Sequence, residues 1–180
     1  VEPFYSGSHK AFLQGLSNHS THNVIPVTLN YKRWKWRMHG DSVKLAEMTR
    51  HAEEEIDLLL VSSMTNLPAF LALTNPRFAY TPKVMMMHEN QLTQPLPEGE
   101  ERDLTYGYIN YLSMLSADVL LFTTQFHMDD LLSELPNFLE HFPDDKHYNT
   151  IDQIRRKSRV MYPGLNLKVF DDQPDIRSNN

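Results

Sequence analysis

The chain has 180 residues, 41% hydrophobic and 22% charged, with a formal net charge of −6, a size and balance that suit one folded domain with at most a small appendage and exclude disorder. No apolar run exceeds about five residues, where a membrane helix needs roughly 20, and no signal-peptide pattern opens the chain. Without any cysteine, disulfides, thiolate zinc sites and cysteine nucleophiles are excluded and a reducing, cytoplasmic compartment is expected, while the acidic total leaves nucleic-acid contact to a local basic patch.

Residues 1–4 read as the end of a strand, so further chain is expected upstream. Tyr5-Ser6-Gly7-Ser8 is a turn, with Ser8 placed to cap a helix over 9–17. A strand is predicted over 24–29, then a helix over 42–55 with Val43, Leu45, Ala46 and Met48 as its apolar side. The segment 56–61, apolar apart from Asp57, marks a strand covered on both faces. A short helix over 66–73 tolerates Pro68 in its first turn. Residues 83–87 form another buried strand, and 103–116 a helix with Leu104, Tyr108, Tyr111, Leu112 and Leu115 at a spacing near 3.6. A strand over 119–122 and a helix over 124–140, threatened by Pro136, come next. Residues 144–148 are a polar loop, 151–157 a short basic helix, and 159–162 a last strand closed by Pro163-Gly164. The polar end, 168–180, reads as a linker or truncated tail behind a domain spanning 1–167.

Short strands alternating with helices imply right-handed crossovers and an open, doubly wound α/β parallel sheet of five or six strands. Ligands of such sheets sit beyond the C-terminal strand ends. That selects residues 5–10, 31–39, 88–94 and 123–127.

Gly7 in the first of these lets backbone approach a ligand, and the following helix N-terminus offers free N–H groups to an anion such as a diphosphate. The plain alternative is a tight turn with a capping serine. In the third, a buried Met85-Met86-Met87 strand delivers His88, Glu89 and Asn90. His88 suits a sugar hydroxyl or a proton, and Glu89 and Asn90 suit a polyol; alternatively His88 and Asn90 only satisfy loop backbone. Adjacent His88 and Glu89 lack metal-ligand spacing, and no metal site is expected there or at His19 and His22. Lys32-Arg33-Trp34-Lys35-Trp36-Arg37 alternates cations and indoles. Phosphates on the cations and bases on the rings would suit looped RNA. In an extended segment the two types would lie on opposite faces, with the tryptophans packed inward. Arg155, Arg156, Lys157 and Arg159 read as a solvated helix end.

Glu2-Pro3-Phe4-Tyr5 with Gly7-Ser8-His9-Lys10, Lys35-Trp36-Arg37, His88-Glu89-Asn90-Gln91-Leu92, Arg102-Asp103 with Tyr106-Gly107-Tyr108, and Ala117-Asp118-Val119 with Phe122 and Phe126 resemble, in that order, the N-terminal half of tRNA-queuosine α-mannosyltransferases. Ser6 stands where the family pattern carries a second glycine. The resemblance implies the Rossmann-like N-terminal, acceptor-side domain of a retaining GT-B glycosyltransferase. It implies GDP-mannose as donor substrate rather than a resident cofactor, no bound metal, and queuosine-bearing tRNA as acceptor. The same polypeptide would supply a second domain, into which Tyr162-Pro163-Gly164-Leu165-Asn166 leads. By the same resemblance His88 and Glu89 are catalytic, Gly7, Ser8, His9 and Asn90 border the donor, and Lys32, Arg33, Trp34, Lys35, Trp36 and Arg37 hold the tRNA. The competing readings are a GT-B enzyme with another acceptor and a non-catalytic RNA-binding module. A nicotinamide oxidoreductase is disfavoured, because no GxGxxG follows the first strand.

Overall fold

The computed structural model describes residues 1–50, 52–165 and 167. In chain order these form β1 (Glu2–Tyr5), α1 (Gly7–His19), β2 (Thr28–Asn30), α2 (Trp34–Arg50), β3 (Leu59–Ser62), α3 (Leu67–Leu73), β4 (Lys83–Met87), α4 (Leu104–Ser116), β5 (Val119–Phe122), α5 (Gln125–Glu140), α6 (Asn149–Lys157) and β6 (Ser158–Val160). Asn166 and the tail over 168–180 lie outside the described residues, as does His51 at the end of a predicted helix.

Every strand pairing is parallel, and the alternation of strands and helices is the predicted Rossmann-like α/β arrangement. β1 pairs with β2, and β3, β4, β5 and β6 pair in that order. Two backbone hydrogen bonds join the groups: Val1 N donates to Leu60 O at 2.6 Å, and Ser62 N to Val1 O at 3.1 Å. The strands therefore run β2-β1-β3-β4-β5-β6. Their order reverses between β1 and β3, the switch point at which such sheets open a crevice.

β4 is the sheet's spine. Met85, Met86 and Met87 are all buried, as a strand covered on both faces requires. The core above and below it gathers Leu45, Phe70, Met114, Leu120, Phe122 and Leu135 among others. A smaller cluster of Met38, Met64, Tyr106 and Ile109 packs with Phe4 and Trp34 under the crevice. Among the described residues no helix is long and apolar enough to cross a membrane.

Several elements depart from expectation. β2 is Thr28–Asn30 where 24–29 is predicted, β3 is Leu59–Ser62 where 56–61 is predicted, and β6 is Ser158–Val160 where 159–162 is predicted. α1 is capped by Ser6, whose backbone is extended and whose carbonyl accepts from Lys10 N at 3.1 Å, so Ser8 lies exposed on the first turn instead of capping it. α2 starts at Trp34, eight positions before the predicted 42. Its buried face is Met38, Asp41, Ser42, Leu45, Ala46 and Thr49. Three polar residues on that face blur its hydrophobic period, and Val43 and Met48, expected inside, are exposed. The segment 32–37 is consequently a turn and a first helical turn, not an extended strand. α5 runs through Pro136, because that residue faces solvent while Leu131, Leu132, Leu135, Phe138 and Leu139 hold the other side.

Helix α4 passes close to its neighbours at Gly107. A Cβ there would meet Leu92 Cδ2 at 2.7 Å and Phe138 Cε2 at 2.9 Å. Overpacking costs about 1–3 kcal/mol, against the roughly 1 kcal/mol by which alanine outdoes glycine in a helix. Gly107→Ala should therefore lower stability, and urea unfolding at matched pH checks the sign.

Candidate functional site

The crevice between β1 and β3 is lined by groups from β1, β3, β4 and the first turn of α1. Glu2 lies on β1 and His9 on the first turn of α1, both buried. Ser63 follows β3, and His88 and Glu89 follow β4. His9 Nδ1 meets Glu2 Oε2 at 2.7 Å, and His9 Nε2 meets Glu89 Oε1. Glu89 Oε2 accepts from Ser63 Oγ at 3.0 Å, and the same hydroxyl accepts from His88 N at 3.2 Å. Asn110 of α4 donates to Ser63 O at 2.6 Å and fixes that turn from below.

Rings continue the frame. His9 and His88 stack with centroids 4.1 Å apart and planes 28° from parallel. Phe12 meets His88 edge-on at 5.3 Å, Phe4 meets His9 at 5.9 Å, and Tyr31 meets Phe4 at 6.4 Å. The charges follow from this packing. Burial works against a charged His9, but the hydrogen bonds and charges of Glu2 and Glu89 overcome it and push its pKa up to about 9. Burial, reinforced by the charge on His9, pushes His88 down to about 4 and leaves it neutral. Burial raises the Glu89 carboxyl, but the His9 imidazolium outweighs burial and holds it below its ordinary value. Beside them, burial lowers His127, whose Nδ1 lies 3.2 Å from Thr123 Oγ1.

Glu2, His9 and His88 bring potential ligand atoms within 4.8 Å of one another. Their geometry is nonetheless poor for a metal. Stacked imidazoles send their lone pairs along nearly parallel lines, which do not converge on one ion, and both His9 nitrogens already face carboxylates.

The predicted residues divide by what their atoms are free to do. No hydrogen bond among the described residues engages the His88 ring nitrogens, and the ring is half-buried at the crevice. Gly7, at φ +49, and Ser8 are exposed at the head of α1, where a Cβ on Gly7 would meet nothing within 4 Å. His9 and Glu89, by contrast, have their side chains committed to each other, to Glu2 and to Ser63. Asn90 is committed too: its amide donates to Asp130 Oδ2 at 2.9 Å and Thr93 Oγ1 at 2.7 Å, and its oxygen accepts from Leu92 N. Arg102 ties down the same loop through Gln91 O and Gln94 O.

In the basic segment, residues two apart on a helix point about 200° apart. Trp34 packs against Tyr106 at 5.0 Å while Trp36 is 65% exposed, lying over Gly40. Lys32, Arg33 and Lys35 are exposed. Arg37 bonds Lys32 O at 3.0 Å, Asp41 Oδ1 at 3.0 Å and Asn30 Oδ1 at 3.4 Å, which closes the β2–α2 turn. Sequence reasoning missed Glu2, Ser63 and Asp130 as partners. The one local signal was a carboxylate on a buried strand seven positions before a histidine.

A family model described as the N-terminal part of tRNA-queuosine alpha-mannosyltransferase matches residues 1–165. The chain belongs to the tRNA-queuosine alpha-mannosyltransferase family. It is 34% identical over 174 residues to the tRNA-queuosine alpha-mannosyltransferase of Drosophila melanogaster, an alignment that covers 94% of this chain and 45% of the relative. The chain thus spans less than half the length of that relative. No solved structure matches. A protein of that description is a glycosyltransferase.

Proposed function

We propose that residues 1–167 are the acceptor-side domain of a retaining, two-domain GT-B glycosyltransferase of the cytoplasm that moves mannose from GDP-mannose to queuosine in tRNA. Family membership supports the transferase class, and the 45% share of the relative supports a second domain that carries most of the donor pocket. The observation that carries the reading is His88, a neutral imidazole with uncommitted ring nitrogens at the switch point of a parallel sheet. Such a group binds a sugar hydroxyl without adding charge beside a leaving diphosphate. The exposed head of α1, with Gly7 and Ser8, presents unpaired N–H groups and a positive dipole end to that diphosphate.

In the reaction, the bond from mannose C1 to the diphosphate oxygen breaks and a bond from C1 to a queuosine hydroxyl oxygen forms on the same face. The hydroxyl proton leaves with GDP. Full-length protein incubated with GDP-mannose and tRNA, with and without queuosine, tests this by nucleoside mass spectrometry. A hexose added only to queuosine is the expected result. No added mass on queuosine tRNA overturns the donor and acceptor assignment, and transfer to queuosine-free tRNA overturns the acceptor.

Lys32, Arg33 and Lys35, with the ring of Trp36, form the tRNA contact of this domain. Arg37 is left out because its guanidinium is spent on Asp41, Asn30 and Lys32 O. Removing three phosphate contacts lowers the salt slope of log K by about two to three. Replacing Lys32, Arg33 and Lys35 with alanine in full-length protein should do so, read by filter binding from low to high salt. An unchanged slope would remove this segment from the RNA surface.

A further inference from the structure

We propose that His9 is a positioning residue: clamped through both ring nitrogens between Glu2 and Glu89, it is a fixed cation and the floor on which His88 stacks, keeping His88 neutral and turned toward the crevice. This inference rests on the reading of His88 as the group that meets the sugar, and it departs from the expectation that His9 itself borders the donor.

The charge follows from hydrogen-bond bookkeeping. An ionised carboxylate only accepts, so a ring nitrogen facing one must carry a hydrogen. His9 faces a carboxylate at each nitrogen, Glu2 Oε2 at 2.7 Å on one side and Glu89 Oε1 on the other. Both carboxylates are themselves held. Glu2 Oε1 accepts from Phe4 N at 2.7 Å, and Glu89 Oε2 accepts from Ser63 Oγ at 3.0 Å. A ring so gripped has lost its rotation, and no ring nitrogen remains for a ligand.

His88 lies on this ring at 4.1 Å and is flanked by the neutral edge of Phe12. Two stacked imidazoles do not both charge at this separation, because like charges so close repel strongly. Burial lowers His88 most; of the charged groups around it, His9 from α1 and His127 from α5 lower it further, while its neighbour Glu89 and Glu2 from β1 raise it. Of these, His9 is the charged partner in face-to-face contact. His88 therefore keeps one nitrogen as donor and one as acceptor at neutral pH, which is what a hydroxyl needs. Glu89 contributes through His9 and Ser63, not through a substrate contact.

The test is a histidine titration by carbon-13 NMR on full-length protein, uniformly labelled at histidine, with the His88 and His9 signals assigned from His88→Gln and His9→Gln variants. In the wild type His88 should titrate near 4 and His9 near 9. In His9→Gln the His88 midpoint should climb by about one unit or more toward its ordinary value. An unmoved His88 midpoint overturns the proposal. Glu2→Gln is the gentler second variant, since it keeps shape and leaves Glu89 in place; there the His9 midpoint should drop by about one unit or more, and an unchanged midpoint again overturns the proposal. The titration needs no turnover, so it is decided separately from the mannosyl-transfer reading. With transfer in hand, the acid limb of the kcat profile should move upward in His9→Gln while the KM for GDP-mannose changes less than about threefold. A raised KM with an unmoved limb would make His9 a donor contact instead.

Discussion

Full-length protein carrying His88→Ala should transfer mannose about 10²- to 10³-fold more slowly, with tRNA affinity close to that of the wild type. The separation follows from where the residue sits. His88 stands at the end of β4 over the crevice, and its side chain makes ring contacts but no hydrogen bond among the described residues: the bond to Ser63 comes from its backbone N. Truncation removes the ring that stacks on His9 and meets Phe12, but it leaves the clamp of Glu2, His9 and Glu89 closed. The exposed cations of the β2–α2 turn lie on a different strand end and are untouched. Single-turnover transfer at saturating GDP-mannose, alongside filter binding of tRNA, separates the two quantities. An equal fall in both would make His88 a structural histidine. A normal rate would withdraw it from the reaction altogether.

The second large effect is on stability against pH. His9 has its folded pKa raised from 6.5 to about 9. Its contribution is therefore complete below about pH 6.5 and is lost as pH rises through 9. The shift corresponds to a ceiling of about 3 kcal/mol. His88 runs the other way, lowered from 6.5 to about 4. Its contribution is present above about pH 6.5 and is lost as pH falls through 4. Together the two give a stability maximum centred near pH 6.5, falling on both sides. Urea unfolding of wild type and His9→Gln, subtracted at each pH so that common groups cancel, isolates the alkaline limb. The difference should shrink steadily between pH 6.5 and 9. A difference flat across that interval would show that His9 carries no extra proton in the folded state.

Much of the frame was legible because its signals are local. Met85, Met86 and Met87 form an apolar run too short for a helix and too continuous for a half-exposed strand, and β4 fell on the predicted residues. β5 did so too, and α3, α4 and α5 were read to within a residue because Asn66, Asp103 and Thr124 cap them with their own side chains. The start of α2 was hidden by Asp41, Ser42 and Thr49, polar residues on a buried face. His88 was identifiable as a strand-end histidine. What made it neutral was not, since Glu2, His9, Ser63 and Glu89 are 80 or more positions apart at the extremes and meet only through the order of the strands. Asn90 shows the converse. Its chemistry fits a polyol, but Asp130, 40 positions on, occupies it first.

The two tryptophans of α2 set a constraint on how the segment can evolve. Trp34 is anchored on Tyr106 and Trp36 projects into solvent because the helix begins where it does. One residue inserted or deleted in the first turn of α2, between Trp34 and Met38, would rotate the two side chains by about 100° relative to each other, pulling Trp34 off its anchor or Met38 out of the cluster beneath the crevice. The exposed residues of this segment can change without disturbing that packing. Its length is locked by the buried ring next door.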